Sequence, residues 1–425
     1  MEQTPEQILG KTAPPLPEPD GDVVRVSTVE QLQAAVSDLV DGRTVLIEPG
    51  EYRLERTLII DKVRHVSLRG ATGDRSDVVL RGRGMREEKY GEVPHVISVF
   101  DADDLLVADL SLADAWWHDM HLAGRSGPQR THLYNLHFLD SGEQLLKVNP
   151  GRDPIAYPDD GLIEYCRFEF TDRGKHWYHD GVDLFSASGW TIRDCEFVRI
   201  RGPVGEMCGP AVLCFSGTQD TVVERNLFLE CDVGIGLGIF HLDPDRTRDP
   251  ERKYAHRRGI VRNNVILRTG SGGSAGILVG YSSDYRIYHN TIVLNGTSSH
   301  TILYGDRISC GEIKYNLADG PFQAADDLCS LDPWSLKWEG RSPEYHPADL
   351  QPPPAVIEGN LTRISPDWFA DFAKGDLHLT ERASEVIDQA VPLEEVRGDF
   401  DGRVRPVGPL ADIGAFEYPD RIRDR

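Results

Sequence analysis

The segment Trp116-Trp117-His118-Asp119 reappears as Trp177-Tyr178-His179-Asp180, 61 residues further on. Between the copies stands Leu145-Leu146-Lys147-Val148-Asn149, and the second copy continues into Gly181-Val182-Asp183-Leu184-Phe185. An ammonium, two imidazoles, a phenol and several carboxylates in one groove can move protons. Lys147 or His179 is suited to act as a base and Tyr178 or His118 as an acid, once neighbours tune them. Asp180 and Asp183 have two chemical readings. As a carboxylate pair, or with Asp119 joined to Asp180, they supply the acid and the base or nucleophile of glycoside hydrolysis. As hard oxygen donors they could hold Ca²⁺, with Asp159 and Asp160 adding ligands. Trp116, Trp117 and Trp177 offer flat apolar faces that suit sugar rings, and Asp119 and Asn149 offer partners for sugar hydroxyls. The same residue types would equally furnish a surface patch of ion pairs of little energetic weight.

Residues so far apart in sequence meet only if the chain repeats. Seven short segments end alike: Leu133-Tyr-Asn135, Ile163-Glu-Tyr-Cys166, Ile192-Arg-Asp-Cys195, Val223-Glu-Arg-Asn226, Val261-Arg-Asn-Asn264, Ile287-Tyr-His-Asn290 and Ile313-Lys-Tyr-Asn316. Asp109 reads as an earlier member, and the steps from it are 26, 31, 29, 31, 38, 26 and 26 residues. Periods of this size mark a solenoid, and β-rich rungs with little helical pattern make it a parallel β-helix. The asparagines read as structural, stacking inside the coil and satisfying buried peptide groups. Cys166 and Cys195 occupy the same positions as small buried residues. One rung lies between the two Trp-aromatic-His-Asp copies, which sets them about 10 Å apart at a strand spacing of about 4.8 Å. Alternation turns Leu146, Val148, Val182 and Leu184 inward, and Lys147, Asn149 and Asp183 outward.

The formal charge of −23 over 425 residues argues against nucleic-acid binding. No apolar run is long enough for a membrane helix. The seven cysteines have neither disulfide-framework nor zinc spacing. Met1-Glu-Gln-Thr-Pro5 lacks a basic start and an apolar stretch. The expectation is therefore a cytoplasmic protein, or a secreted or periplasmic one from which a signal peptide has been removed. Residues 1–22 read as a flexible leader. Residues 23–320 read as the β-helix, with an amphipathic capping helix over 28–40. Thr28 and Gln31 open that helix as a capping box, and Val29, Leu32, Val36 and Leu39 form its apolar face. Residues 321–425 read as a proline-rich return loop and an irregular closing cap packed on the coil. No oligomeric state is implied.

The span from about residue 25 to 320 resembles the pectate-lyase-like right-handed β-helix superfamily of polysaccharide lyases, polygalacturonase-type hydrolases and alginate C5-epimerases. His179-Asp-Gly-Val-Asp-Leu184 is similar to the Asp-Asp-Gly-Phe-Asp-Leu segment of one calcium-dependent pectate lyase family, which implies Asp180 and Asp183 as Ca²⁺ ligands. It is also similar to the Asn-Thr-Asp-Gly-Ile-Asp segment of polygalacturonases, which implies Asp180 as catalytic. Alginate C5-epimerases carry a related His/Asp cluster, which points to His179 and Asp180. The calcium-dependent lyases place their lysine one rung after the aspartates, where this chain has Ala211-Val-Leu-Cys-Phe215. Its Lys147 lies one rung before them. The resemblance implies a polysaccharide or oligosaccharide substrate, with lyase chemistry on a uronate polymer ahead of hydrolysis, epimerisation or non-catalytic binding.

Overall fold

A computed structural model describes residues 3–124, 127–151, 156–239, 243, 245–249, 251, 253–270, 272–305, 309–325 and 352–419. Short strands stack in parallel into three long sheets, one of 14 strands and two of 10. One 10-stranded sheet carries the residues singled out above. In chain order its strands include Glu92–Asp103, Met120–Ala123, Leu146–Asn149, Val182–Phe185 and Val212–Phe215. The 14-stranded sheet contains the ladder segments, such as His132–Tyr134, Leu162–Glu164 and Thr191–Arg193. The third sheet follows each of them after a tight turn, with Phe138, Phe168, Phe197 and Phe228 stacked inside at 4.6, 4.9 and 4.8 Å between ring centres. Such near-parallel pairs add about 0.5–1.5 kcal/mol each beyond their burial.

The ladder is real but begins later than its spacing suggested. Tyr134 pairs with Glu164, so Asn135 is level with Tyr165 and Leu136 with Cys166. Asp109, Asn135 and Tyr165 all occupy the left-handed turn position, at φ of 59°, 50° and 55°. Asn135 and Asp109 are thus turn residues, favoured there because Asn and Asp tolerate that conformation. The interior row runs Leu110, Leu136, Cys166, Cys195, Asn226, Asn264, Asn290 and Asn316, and ends on Asn360. Each asparagine side-chain oxygen accepts the backbone N–H one rung before it: Asn226 from Cys195, Asn264 from Asn226, Asn290 from Asn264, Asn316 from Asn290 and Asn360 from Asn316, at 2.8–3.0 Å. Cys166 and Cys195 are buried thiols, and the six described cysteines are free.

A helix over Val29–Ser37 packs against the first strands and buries Leu32 and Val36. The Thr28 hydroxyl accepts the Gln31 N–H, and the Gln31 side chain accepts the Ser27 N–H. The opening residues are not a loose leader. Leu9 is buried among apolar residues of the third sheet and the C-terminal segment. The Lys11 ammonium pairs with Asp194 at 2.7 Å and reaches the Phe400 carbonyl. The Pro14 and Pro17 carbonyls accept from Tyr134 and Arg69. These residues form a strap along the outside of the ladder sheet, drawn down by buried and charged anchors that a count of prolines does not reveal. Residues 352–419 return along the third sheet, covering Val198, Leu229, Leu267 and Leu317 with Trp368, Phe369 and Phe416. Most of the proline-rich stretch expected to return along the stack, 326–351, lies outside the described residues. Among the described residues no helix is long and apolar enough to cross a membrane.

Candidate active site

Strand pairing lines up one outward row across the site sheet: Ser98, His121, Lys147, Asp183 and Leu213. A second row sets Ala123 beside Asn149, and Phe185 beside Phe215. Lys147 and Asp183 point outward, as alternation required, yet both are buried. The rings over the Lys147 ammonium are Tyr178 at 5.0 Å and Phe215 at 5.5 Å, and Trp177 stacks on Tyr178 at 5.4 Å.

The centre is a three-way contact. The Lys147 ammonium donates to Asp183 Oδ2 at 2.6 Å and contacts the Tyr178 hydroxyl at 2.9 Å. Tyr178 in turn donates to the same Asp183 oxygen at 2.7 Å. Burial, then the charges of Asp183 and Asp180, push the Tyr178 phenol well above its usual range, so it keeps its proton. Burial likewise raises Asp183, against the opposing pull of Lys147. Asp183 Oδ1 has no hydrogen-bond partner among the described residues. Asp180 is wholly buried, and the Gln144 side chain approaches it without closing a well-formed hydrogen bond. Its burial and the neighbouring Asp183 raise it well above the ordinary carboxylate value, against the opposing pull of Lys147.

The two Trp-aromatic-His-Asp copies are two rungs apart but one residue out of register. Met120, Leu146 and Val182 are level, so Asp180 is level with His118 and Asp119 with Gly181. Gly181 causes the offset, and a side chain there would strike the Ala211 carbonyl at 2.6 Å and Phe197 at 2.8 Å. Asp119 is consequently no sugar-binding residue. It is fully buried, and its oxygens accept the backbone N–H groups of Ala115 and Leu139 at 3.2 and 3.0 Å. His179 is also turned away. It is fully buried beside Phe170, and Nε2 accepts the Lys175 N–H at 3.0 Å. That geometry fits a brace for the lip better than a base.

His118 stands opposite to its expected role as an acid. Nδ1 faces the Gln144 carbonyl at 3.1 Å, and burial holds the ring well below its ordinary pKa, hence neutral. It belongs to a cluster with His95 and His121, at centroid distances of 5.1, 4.9 and 5.3 Å. Burial lowers His95 to about 4 and, with His95 and Lys147 adding, His121 to about 3. The sequence reading passed over His121. Its signal was available, since alternation from inward Met120 turns it out beside Lys147. Asn149 meets His121 Nε2 at 3.1 Å. His95, on the strand Glu92–Asp103, was also missed, as were Glu143, Lys175 and His176, which sit in loops at the lips of the coil, where no periodicity points. Glu143 lies 3.9 Å from both His118 and His176.

The imidazole cluster carries a pH signature. An unfolded imidazole titrates near 6.5, whereas folded His95 does so at about 4. As pH falls through about 6.5 the unfolded chain gains protons that the folded chain refuses, so stability is lost on acidification. Between about pH 7 and pH 5 the loss from His95 is about 2 kcal/mol. Melting curves at the two values should show a shallower fall for His95→Gln than for the parent, and equal falls would refute this.

Trp116 lies under the Lys175 ammonium at 3.6 Å and stacks on Tyr90 at 5.3 Å and 20°. Trp117 is 41% exposed, tilted against Tyr90 and His95.

A calcium ion does not fit this donor set. Ca²⁺ takes six to eight oxygens. Asp183 Oδ2 is already held by an ammonium and a phenol, and the Lys147 ammonium beside it opposes a second cation. Asp159 faces the Ser188 N–H and Arg248, and pairs with Gln129 and Ser188 at another corner of the coil. Among the described residues no group of three or more His, Cys, Asp or Glu is placed to hold a metal.

No protein-family model matches the chain, and neither does any curated protein. Solved structures do. The alginate lyase from Paenibacillus sp. str. FPU-7 aligns over 80% of this chain and 99% of its own, at 13% identity and a TM-score of 0.52. The pectate lyase Pel9A aligns over 91% and 90%, at 11% identity and a TM-score of 0.47. The A-module of the Azotobacter vinelandii mannuronan C-5 epimerase AlgE4 aligns over 78% and 90%, at 13% identity and a TM-score of 0.46. At such identities the likeness is one of fold. Three stacked parallel sheets, an asparagine ladder and the match to the Paenibacillus structure together make this chain a parallel β-helix protein.

Proposed function

We propose that the chain is a polysaccharide lyase that cleaves a uronate-containing polymer by β-elimination. One observation carries the reading: an ammonium, a protonated phenol and a carboxylate in mutual contact, with neutral imidazoles one rung away. β-Elimination removes the proton at C5, forms the C4–C5 double bond and expels the oxygen at C4. His121, level with Lys147 and neutral, takes the proton in this scheme, and Lys147 balances the uronate charge that grows as the proton leaves. Tyr178 returns a proton to the departing oxygen, and Asp183 orients both Lys147 and Tyr178. Asn149 and the aromatic lip hold the sugar.

Hydrolysis by Asp180 and Asp183 suits the geometry less, because Asp183 Oδ2 is already held by the Lys147 ammonium and the Tyr178 hydroxyl. Epimerisation shares the proton abstraction but leaves the chain uncut. A panel of uronate and neutral polysaccharides followed in the near ultraviolet separates these readings. An unsaturated product is expected from at least one uronate polymer, and saturated fragments alone would point to hydrolysis. Because Lys147 supplies the positive charge, turnover should be unchanged within about twofold after exhaustive chelation. A loss restored by added Ca²⁺ would contradict that assignment.

A further inference from the structure

The outward row of the site sheet is open at one end and sealed at the other. Ahead of the centre, Ile59 pairs level with Ser98 and is 51% exposed, and Trp117 stands out at the lip. Beyond Asp183 the row continues through Leu213, Gly236, Leu278 and Leu303. The three leucines are at most 1% exposed, packed with Phe215, Ile239 and Tyr281 in a separate apolar cluster against which Trp177 and Tyr178 lie. The cover is in direct contact with the sheet. A side chain at Gly236 would meet Pro210 at 2.6 Å and Ile239 at 3.0 Å. Arg246 closes over the Phe185 ring at 4.3 Å.

A sugar chain running along the stack therefore has no path across the later rungs. It would have to displace a packed apolar layer and leave hydroxyls there without partners. Asp183 is itself covered, and the apolar layer over Leu213 begins only one rung step, about 4.8 Å, beyond it. The open side offers what a bound chain needs: the Tyr90–Trp116–Trp117 step, with Lys175 over Trp116 as a cation in a strongly acidic protein.

We infer that the site accepts the terminus of a polyuronate chain, with the rest of the chain lying over Tyr90 and Trp117, and releases small products from that end. The inference rests on the lyase reading above and adds the mode of attack. Digests of long alginate and polygalacturonate by the full-length protein, sized over time, test it. Unsaturated mono- or disaccharides are expected in the earliest samples while the remaining polymer stays long. An early ladder of intermediate lengths would overturn the chain-end inference and leave the lyase reading standing. No unsaturated product from any polymer would sink the lyase reading and this inference with it. Trp117→Ala should raise KM for the polymer roughly tenfold, and an unchanged KM would refute the placement of the chain on the open side.

Discussion

Replacing Lys147 by Met is expected to lower turnover of the preferred uronate polymer by about 10³-fold or more, because it removes charge stabilisation that proton transfer alone cannot replace. The single variant is ambiguous by itself. It leaves Asp183 buried without its ammonium, and breaking one side of a buried pair costs about 3–5 kcal/mol. The informative protein is Lys147→Met with Asp183→Asn, in which no lone charge is left behind. Its melting temperature should stay close to that of the parent while its rate falls with the single variant. Retention of more than about a tenth of the parent rate in the folded double variant would remove Lys147 from the reaction.

The second large effect concerns stability. The Asn290 side chain accepts from the backbone and amide nitrogens of Asn264 and donates to the carbonyls of Val261 and Tyr288 and to the Asn316 oxygen. Asn290→Ala strands several of these groups in the dry interior, at about 1–3 kcal/mol for each left unpaired. A loss of about 3–5 kcal/mol is expected in denaturant unfolding. Asn135→Ala, at a turn position that earlier looked equivalent, should cost clearly less, since it lies outside the interior row. Equal losses would mean that the row does not carry the stacking energy assigned to it.

The coil was legible because rungs repeat and buried peptide groups need partners at fixed intervals. Those intervals also measured distance along the stack, and so brought Lys147 beside Asp183 across 36 residues. Register was less legible. A short motif ending in a small polar residue looks the same whether that residue turns the chain, like Asn135, or fills the interior, like Cys166. Only strand pairing separates them. The same one-residue uncertainty made Asp119 and Asp180 look equivalent, although Gly181 shifts one against the other. Glu143, Lys175 and His176 come from loops that meet over the sheet, and loop contacts follow no period. The calcium expectation rested on carboxylates read without their neighbours. The ammonium one rung away changes what those carboxylates can bind.

An array of stacked rungs, each touching only its neighbours, ordinarily comes apart from its ends, one unit after another. Here the opening strap binds Asp194 midway along the stack and reaches Phe400 in the returning C-terminal segment. The two extremities hold each other, so a frayed end must release the other before the coil can unzip. That converts a string of nearly independent units into something closer to a closed loop, with a single sharp transition in place of gradual peeling.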